Sequence, residues 1–206
     1  MNTKENLLSE IIKIEWEMFQ KVPNIGGRAL CQDDYKTFKI MRHSQGMSWS
    51  EATLESYLND LKKAEKNDRN LLSEKYARMM ESTSPLEYDK IKHLLTPLDP
   101  DVPPLIDKII EIALAWEEDV TKKYPYICKR GRPIYSSEDM PGVVSFETYL
   151  RGELATYSKK TIEFYYNNML GQKSQGINGA EIVLERTVNQ YGYKSLEEAN
   201  EKCKPQ

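Results

Sequence analysis

The stretch Lys4-Glu5-Asn6-Leu7-Leu8-Ser9-Glu10-Ile11-Ile12-Lys13-Ile14-Glu15-Trp16-Glu17-Met18-Phe19-Gln20-Lys21-Val22 decides the fold class. Its apolar residues Leu7, Leu8, Ile11, Ile12, Met18, Phe19 and Val22 recur at spacings of three and four, which puts them on one face of an α-helix. Asn2 or Thr3 can cap its start, since a short polar side chain there accepts a bond from a free backbone N–H. Beyond it, Pro23-Asn24-Ile25-Gly26-Gly27 ends the helix: proline disfavours continuation and paired glycines permit positive φ in a tight turn. Asp33 and Asp34 then stand where an N-cap and a first-turn acid belong, with Phe38, Met41 and Gln45 following on one face. A second helix is expected to end between residues 44 and 47.

The same pattern continues along the chain. Ser48 and Glu51 have capping-box spacing, and Leu54, Leu58 and Leu61 carry a third helix, whose charged run at 62–69 reads as an exposed face. Leu71, Leu72, Tyr76 and Met79 carry a fourth, and Ser84-Pro85 opens a short helix to about residue 95. Four of the ten prolines fall in 96–104, which reads as an extended connector within one core. A clear helix spans 105–124, with Ile106, Ile109, Ile110, Ala113, Trp116 and Val120 inside. Residues 125–145 lack periodicity and form a long irregular basic loop, a type usually functional or disordered. One aromatic-rich helix is expected over 146–169, and two short ones, at 179–191 and 196–203, close the chain. With no useful alternating pattern, the expectation is all-α: a single-domain multi-helix bundle over 1–206.

Composition excludes several classes of function. A chain of 206 residues buries roughly 70% of its unfolded surface and needs no staples. Its 29 Lys and Arg against 32 Asp and Glu leave no dominant phosphate-binding footprint, so no nucleic-acid partner is expected. There is no apolar run near the roughly 20 residues of a membrane helix and no basic leader at the start, so the reading is cytoplasmic without a membrane partner. Cys31, Cys128 and Cys203 are odd in number and widely spaced, which fits reduced thiols and neither a disulfide framework nor a zinc knuckle. No motif selects an organic cofactor, and the cofactor and the oligomeric state stay unassigned.

The informative residues are polar ones on apolar faces. At about 100° per residue, Glu15 falls at the centre of the first helix's stripe. Glu153 shares a face with Phe146, Tyr149, Leu150, Tyr157 and Phe164, and Gly152 beside it leaves room for close approach. Asp34 and Gln45 share the stripe of Phe38 and Met41, and Glu117 lies among Ile106, Ile110, Ala113 and Val120. A carboxylate buried alone costs several kcal/mol, so such groups must be protonated, paired with a cation or bound to metal. The candidate cations are Arg28, Arg42, Arg151, Lys129, Arg130 and Arg132. Two readings stand side by side: an ion-pair network that fixes helix register, and a polar cavity for a ligand. A di-iron site is the third, but its Glu-x-x-His spacing is absent, since Ile40 and Lys90 precede His43 and His93 by three; no metal ligands are assigned. Cys31, ahead of a helix start and near Arg28, is either an activated thiol or a small buried hydrophobe.

Two blocks carry a resemblance. The first is Glu15-Trp16, Asn24-Ile25-Gly26-Gly27-Arg28-Ala29, Cys31-Gln32-Asp33-Asp34, Thr37-Phe38, Ile40-Met41-Arg42 and Ser44-Gln45. The second is Arg130-Gly131-Arg132-Pro133-Ile134, Glu147-Thr148-Tyr149-Leu150-Arg151-Gly152-Glu153-Leu154 and Thr156-Tyr157-Ser158. Over nearly the whole chain the sequence resembles the bacterial family catalogued as domain of unknown function 4125. The resemblance implies a cytosolic helical protein and carries no activity; Glu117 lies outside both blocks.

The resulting expectation is a small-molecule enzyme working by general acid/base chemistry on an amino-acid-like or other small anionic substrate. Glu15 or Glu153, with a pKa raised by apolar walls, is the expected acid or base, with Tyr157 assisting and Cys31 as a further candidate. Arg28, Gln32, Asp34, Arg42, Gln45, Arg130, Arg132 and Tyr149 are the candidate binding residues, with the turn at 26–28 and the loop at 129–135 closing the cavity. The alternatives are a non-catalytic ligand-sensing or partner-binding module and a carboxylate-rich metal site.

Overall fold

The computed structural model describes residues 3–24 and 27–205. The opening periodicity becomes α1, Thr3–Gln20, whose buried residues run from Leu8 through Ile11, Ile12 and Glu15 to Phe19. A 3-10 turn, Leu30–Asp33, leads into α2, Tyr35–Gly46. There follow α3, Glu51–Lys66; α4, Leu71–Thr83; α5, Pro85–Ile91; α6, Val102–Lys123; and α7, Pro125–Cys128. The chain ends with α8, Phe146–Leu154; α9, Lys159–Ser174; α10, Gly179–Gln190; and α11, Leu196–Lys202. Among the described residues the fold is all-α, and no helix is long and apolar enough to cross a membrane.

Short polar side chains set where these helices begin. Asp34, Ser50, Asn70, Ser145, Ser158, Asn178 and Ser195 each accept a bond from the backbone N–H three residues on, an arrangement worth about 1 kcal/mol per cap. Packing then orders them: α1 lies along α3, α4 along α8, and α6 and α3 both along α9. Leu8, Leu54, Leu61, Ile109, Leu154 and Ile162, from five different helices, are fully buried in one core. α10 lies across α2 and α6, and with α11 and α7 it encloses a smaller cluster around Val188, Leu196 and Ala199.

Five local expectations are corrected. The helix anticipated over 146–169 is two helices, because Thr156 Oγ1 bonds back to the Glu153 carbonyl at 2.7 Å and Ser158 caps a new start. The α3 cap is Ser50, while the Ser48 hydroxyl closes the preceding turn on the Gln45 carbonyl at 2.7 Å. The connector stops before Val102, since Pro103 and Pro104 fit the first turn of α6, where their missing N–H groups are not needed. The basic loop contains α7 and a 3-10 turn, Ser136–Glu138. On α2 the buried face is Ile40, Ser44 and Gly46, with Asp34 and Met41 exposed. Asn2, Ile25 and Gly26 lie outside the described residues.

Gly152 sets the approach of α8 to α4. A Cβ there would stand 2.8 Å from Met79 Cγ and 3.0 Å from the Lys75 carbonyl oxygen. Gly152→Ala is therefore expected to lower the unfolding free energy by about 1–3 kcal/mol through overpacking, read from a urea titration. An unchanged midpoint would show that the helices are not so closely apposed.

Candidate functional site

Acids and bases from distant parts of the chain meet where α1, α2, α3, α4 and α8 converge. Glu15 occupies the centre of the α1 stripe and is 1% exposed. Arg42 of α2 donates from Nε to Glu15 Oε2 at 2.8 Å, and its Nη2 bonds the other carboxylate oxygen. Its Nη1 donates to Glu153 Oε1 at 2.9 Å and to Gln45 Oε1 at 2.6 Å. Lys75 of α4 donates to Glu153 Oε2 at 2.5 Å. Tyr57 of α3 donates to Glu15 Oε1 and Tyr157 to Glu153 Oε1, both at 2.7 Å. Two buried anions are thus matched by two buried cations, and each carboxylate accepts several bonds.

These neighbours set the protonation states. Burial would raise the Glu153 pKa, but the charges of Arg42 and Lys75, with the Lys75 and Tyr157 bonds, outweigh it and hold the carboxyl well below its ordinary value of 4.5. The expectation that apolar walls raise the Glu153 pKa is corrected on this ground. Burial, reinforced by the adjacent carboxylate, pushes the hydroxyls of Tyr57 and Tyr157 well upward, so both remain proton donors.

Beside this cluster opens a chamber of about 610 Å³, within the range of small-molecule sites. Glu15, Arg42, Gln45, Lys75 and Glu153 form its polar floor, and Phe19, Phe38, Tyr76, Trp49 and Trp116 supply aromatic wall. α7 contributes Cys128, and the loop after it contributes Gly131, Arg132 and Ile134. The Arg132 guanidinium lies 4.6 Å from the centre of the Tyr149 ring, and Lys75 Nζ lies 3.5 Å from the same centre, both within cation–π range. Arg132 donates to the Val144 carbonyl at 3.1 Å and has no carboxylate partner among the described residues. Trp49 is 4% exposed, and its indole N–H is buried with no partner among the described residues. Burial pushes the Cys128 thiol upward, away from thiolate character.

The candidate residues divide accordingly. Glu15, Arg42, Gln45, Glu153, Tyr149 and Arg132 come together at the chamber, and Tyr157 packs behind its floor. Asp34 and Cys31 line the chamber while exposed, Asp34 acting as the α2 cap. Gln32 instead closes the end of α1: its amide donates to the carbonyls of Phe19 at 2.8 Å and Val22 at 3.1 Å. Arg28 pairs with Asp33 at 2.8 Å, and Arg130 is exposed; neither they nor Gln32 line the chamber. Arg151 turns outward to Asp107 and Glu147. Sequence reasoning missed Lys75 and Tyr57. The signal was present, since Lys75 sits four residues from both Leu71 and Met79, and Tyr57 between Leu54 and Leu61, on buried stripes. Among the described residues no group of three or more His, Cys, Asp or Glu side chains is arranged to hold a metal ion.

Fold and site together define a class: a helical protein built around a chamber floored by a charge-balanced, hydrogen-bonded cluster. The chain belongs to the family described as Protein of unknown function (DUF4125), whose model matches residues 5–201. No curated protein and no solved structure matches it.

Removing one member of a buried pair leaves the other charge unmatched, which costs about 3–5 kcal/mol. Arg42→Gln is expected to lower the unfolding free energy by about that amount in guanidinium titrations; a change within error would mean the cluster is not desolvated. Because the folded-state pKa of Glu153 lies below the ordinary 4.5, its stabilisation is present above pH 4.5 and is lost as pH falls toward the folded value. Glu153→Gln should flatten that part of the acid unfolding profile.

Proposed function

We propose that this protein binds a small anionic molecule with an apolar or aromatic body in the chamber, with Arg132 as the docking cation. The observation that carries the reading is an exposed guanidinium, without a carboxylate partner among the described residues, at the edge of a chamber of small-molecule size. Arg132 presents its remaining N–H groups in a planar fork suited to carboxylate or phosphate, and its stacking on Tyr149 orients that fork. The aromatic wall supplies apolar contact for the rest of the ligand. Lys75 and Arg42 are already matched by Glu15 and Glu153, which leaves the docking role to Arg132.

In this reading the Glu15, Arg42, Lys75 and Glu153 cluster is a rigid polar floor. Acid/base chemistry on the ligand needs a group that exchanges protons near neutral pH, and the paired Glu153 carboxyl is held far from that range. The enzymatic form of the proposal therefore requires a different proton carrier, and without one the chamber acts as a ligand sensor. Three free thiols fit operation in a reducing cytoplasm.

The test uses 3-phenylpropionate and phenyl phosphate as probes, measured by calorimetric titration and thermal shift. One saturable site per chain is expected, together with a raised unfolding temperature. Arg132→Met should weaken binding by about tenfold or more, or at least about 1.4 kcal/mol, with the fold unchanged by circular dichroism. Absence of saturable binding, or binding indifferent to Arg132→Met, would overturn the proposal.

A further inference from the structure

The chamber contains an acid that the preceding reading leaves unused. Glu117 lies on α6 with Ala113 one turn before it and Thr121 one turn after, and all three line the chamber. It is half-buried, and its carboxyl makes no hydrogen bond or ion pair with any described residue. The buried acids behave differently: Glu15, Asp60 and Glu153 each accept bonds from side chains or backbone. Burial alone lifts the Glu117 pKa to about 7. Ionised, it is a partly desolvated charge with no hydrogen-bond or ion-pair partner among the described residues, a state that its burial disfavours.

Among the described residues, the elements packed against α6 supply no partner. Of the titratable groups they bring to the chamber, α7 offers the Cys128 thiol, α8 offers Tyr149 and the already paired Glu153, and α9 offers Tyr165. The chamber-lining residues of α10, Gly179, Ala180, Val183, Leu184 and Thr187, carry no ionisable side chain. Arg132, on the loop beyond α7, is likewise unmatched by a carboxylate among the described residues.

We propose that Glu117 is the recognition group for a protonated amine on the ligand, so that the chamber takes a small zwitterion whose anionic end meets Arg132. The inference rests on the reading of Arg132 above. An ammonium group supplies what Glu117 lacks, an opposite charge with three N–H donors. A simple alkylammonium stays protonated to about pH 10, so the pH dependence of its binding belongs to Glu117. Affinity rises as pH climbs toward the Glu117 value of about 7 and levels off above it.

The experiment titrates the 206-residue chain calorimetrically with two single-ended probes, 3-phenylpropylamine and 3-phenylpropionate, between pH 5.5 and 8.5. The amine is expected to bind about tenfold more weakly at pH 6 than at pH 8, and at least about tenfold more weakly to Glu117→Gln than to the parent at pH 8. The carboxylate is expected to bind Glu117→Gln no more weakly than the parent. Carboxylate binding with no amine binding, or amine binding unchanged by Glu117→Gln, overturns this inference and leaves the Arg132 reading intact. Amine binding without carboxylate binding overturns the Arg132 reading and, with it, the zwitterion. Should Glu117→Gln fold poorly, the pH profile of the parent decides: a flat profile overturns the inference.

Discussion

Arg42, held between Glu15 and Glu153, is the constraint on which the rest of the structure depends. Taking these ions out of water costs several kcal/mol each, and the cost is recovered only when every charge has its partner and every oxygen its donors. The partners are 27 residues from Arg42 on one side and 111 on the other, and Lys75 reaches Glu153 across 78. A small displacement of α1, α2, α4 or α8 would leave an unmatched charge in the interior. The cluster therefore acts as a registration device for helices whose apolar faces alone would tolerate several arrangements.

The same cluster explains why a chamber persists beside it. Apolar side chains from the facing wall cannot close over charged groups without further desolvating them, so the space above the floor is lined but not filled. With the floor neutral overall, the character of the chamber passes to its unmatched groups. Arg132 and Glu117 are both supplied by the segment running from α6 into the loop after α7, whereas the floor comes from α1, α2, α4 and α8. Scaffold and recognition thus arise from different parts of the chain, and a rigid floor beneath a loop-borne wall is a common way to hold binding groups in place.

Much of the helical layout was legible because period and capping are local. The stripe of α1 by itself puts Glu15 inside, and the pair Asp33 and Asp34 marks the start of α2, where Asp34 is the cap. Errors fell where competing local signals were close in strength. Ser48 and Ser50 both suit a cap, and only the turn on Gln45 consumes the first. The continuous aromatic pattern across residues 155–158 hid a break made by Thr156 and Ser158. Arg28, close to Cys31 in sequence, looked like a site cation but is engaged by Asp33 and Gln20. Lys75 escaped notice since a lysine reads as surface, although its neighbours at four-residue spacing are buried.

From the sequence alone came the helices, the inward direction of Glu15, Glu153 and Glu117, and the requirement that buried acids find compensation, because each follows from spacing along one helix or from the cost of desolvation. Which cation answers which acid was decided only by tertiary structure. Ion pairing depends on the relative rotation and offset of helices far apart in the chain, which local periodicity does not encode. That packing gave Arg42 and Lys75 to the floor, turned Arg151 outward, and left Arg132 and Glu117 beside the same chamber without an opposite charge among the described residues.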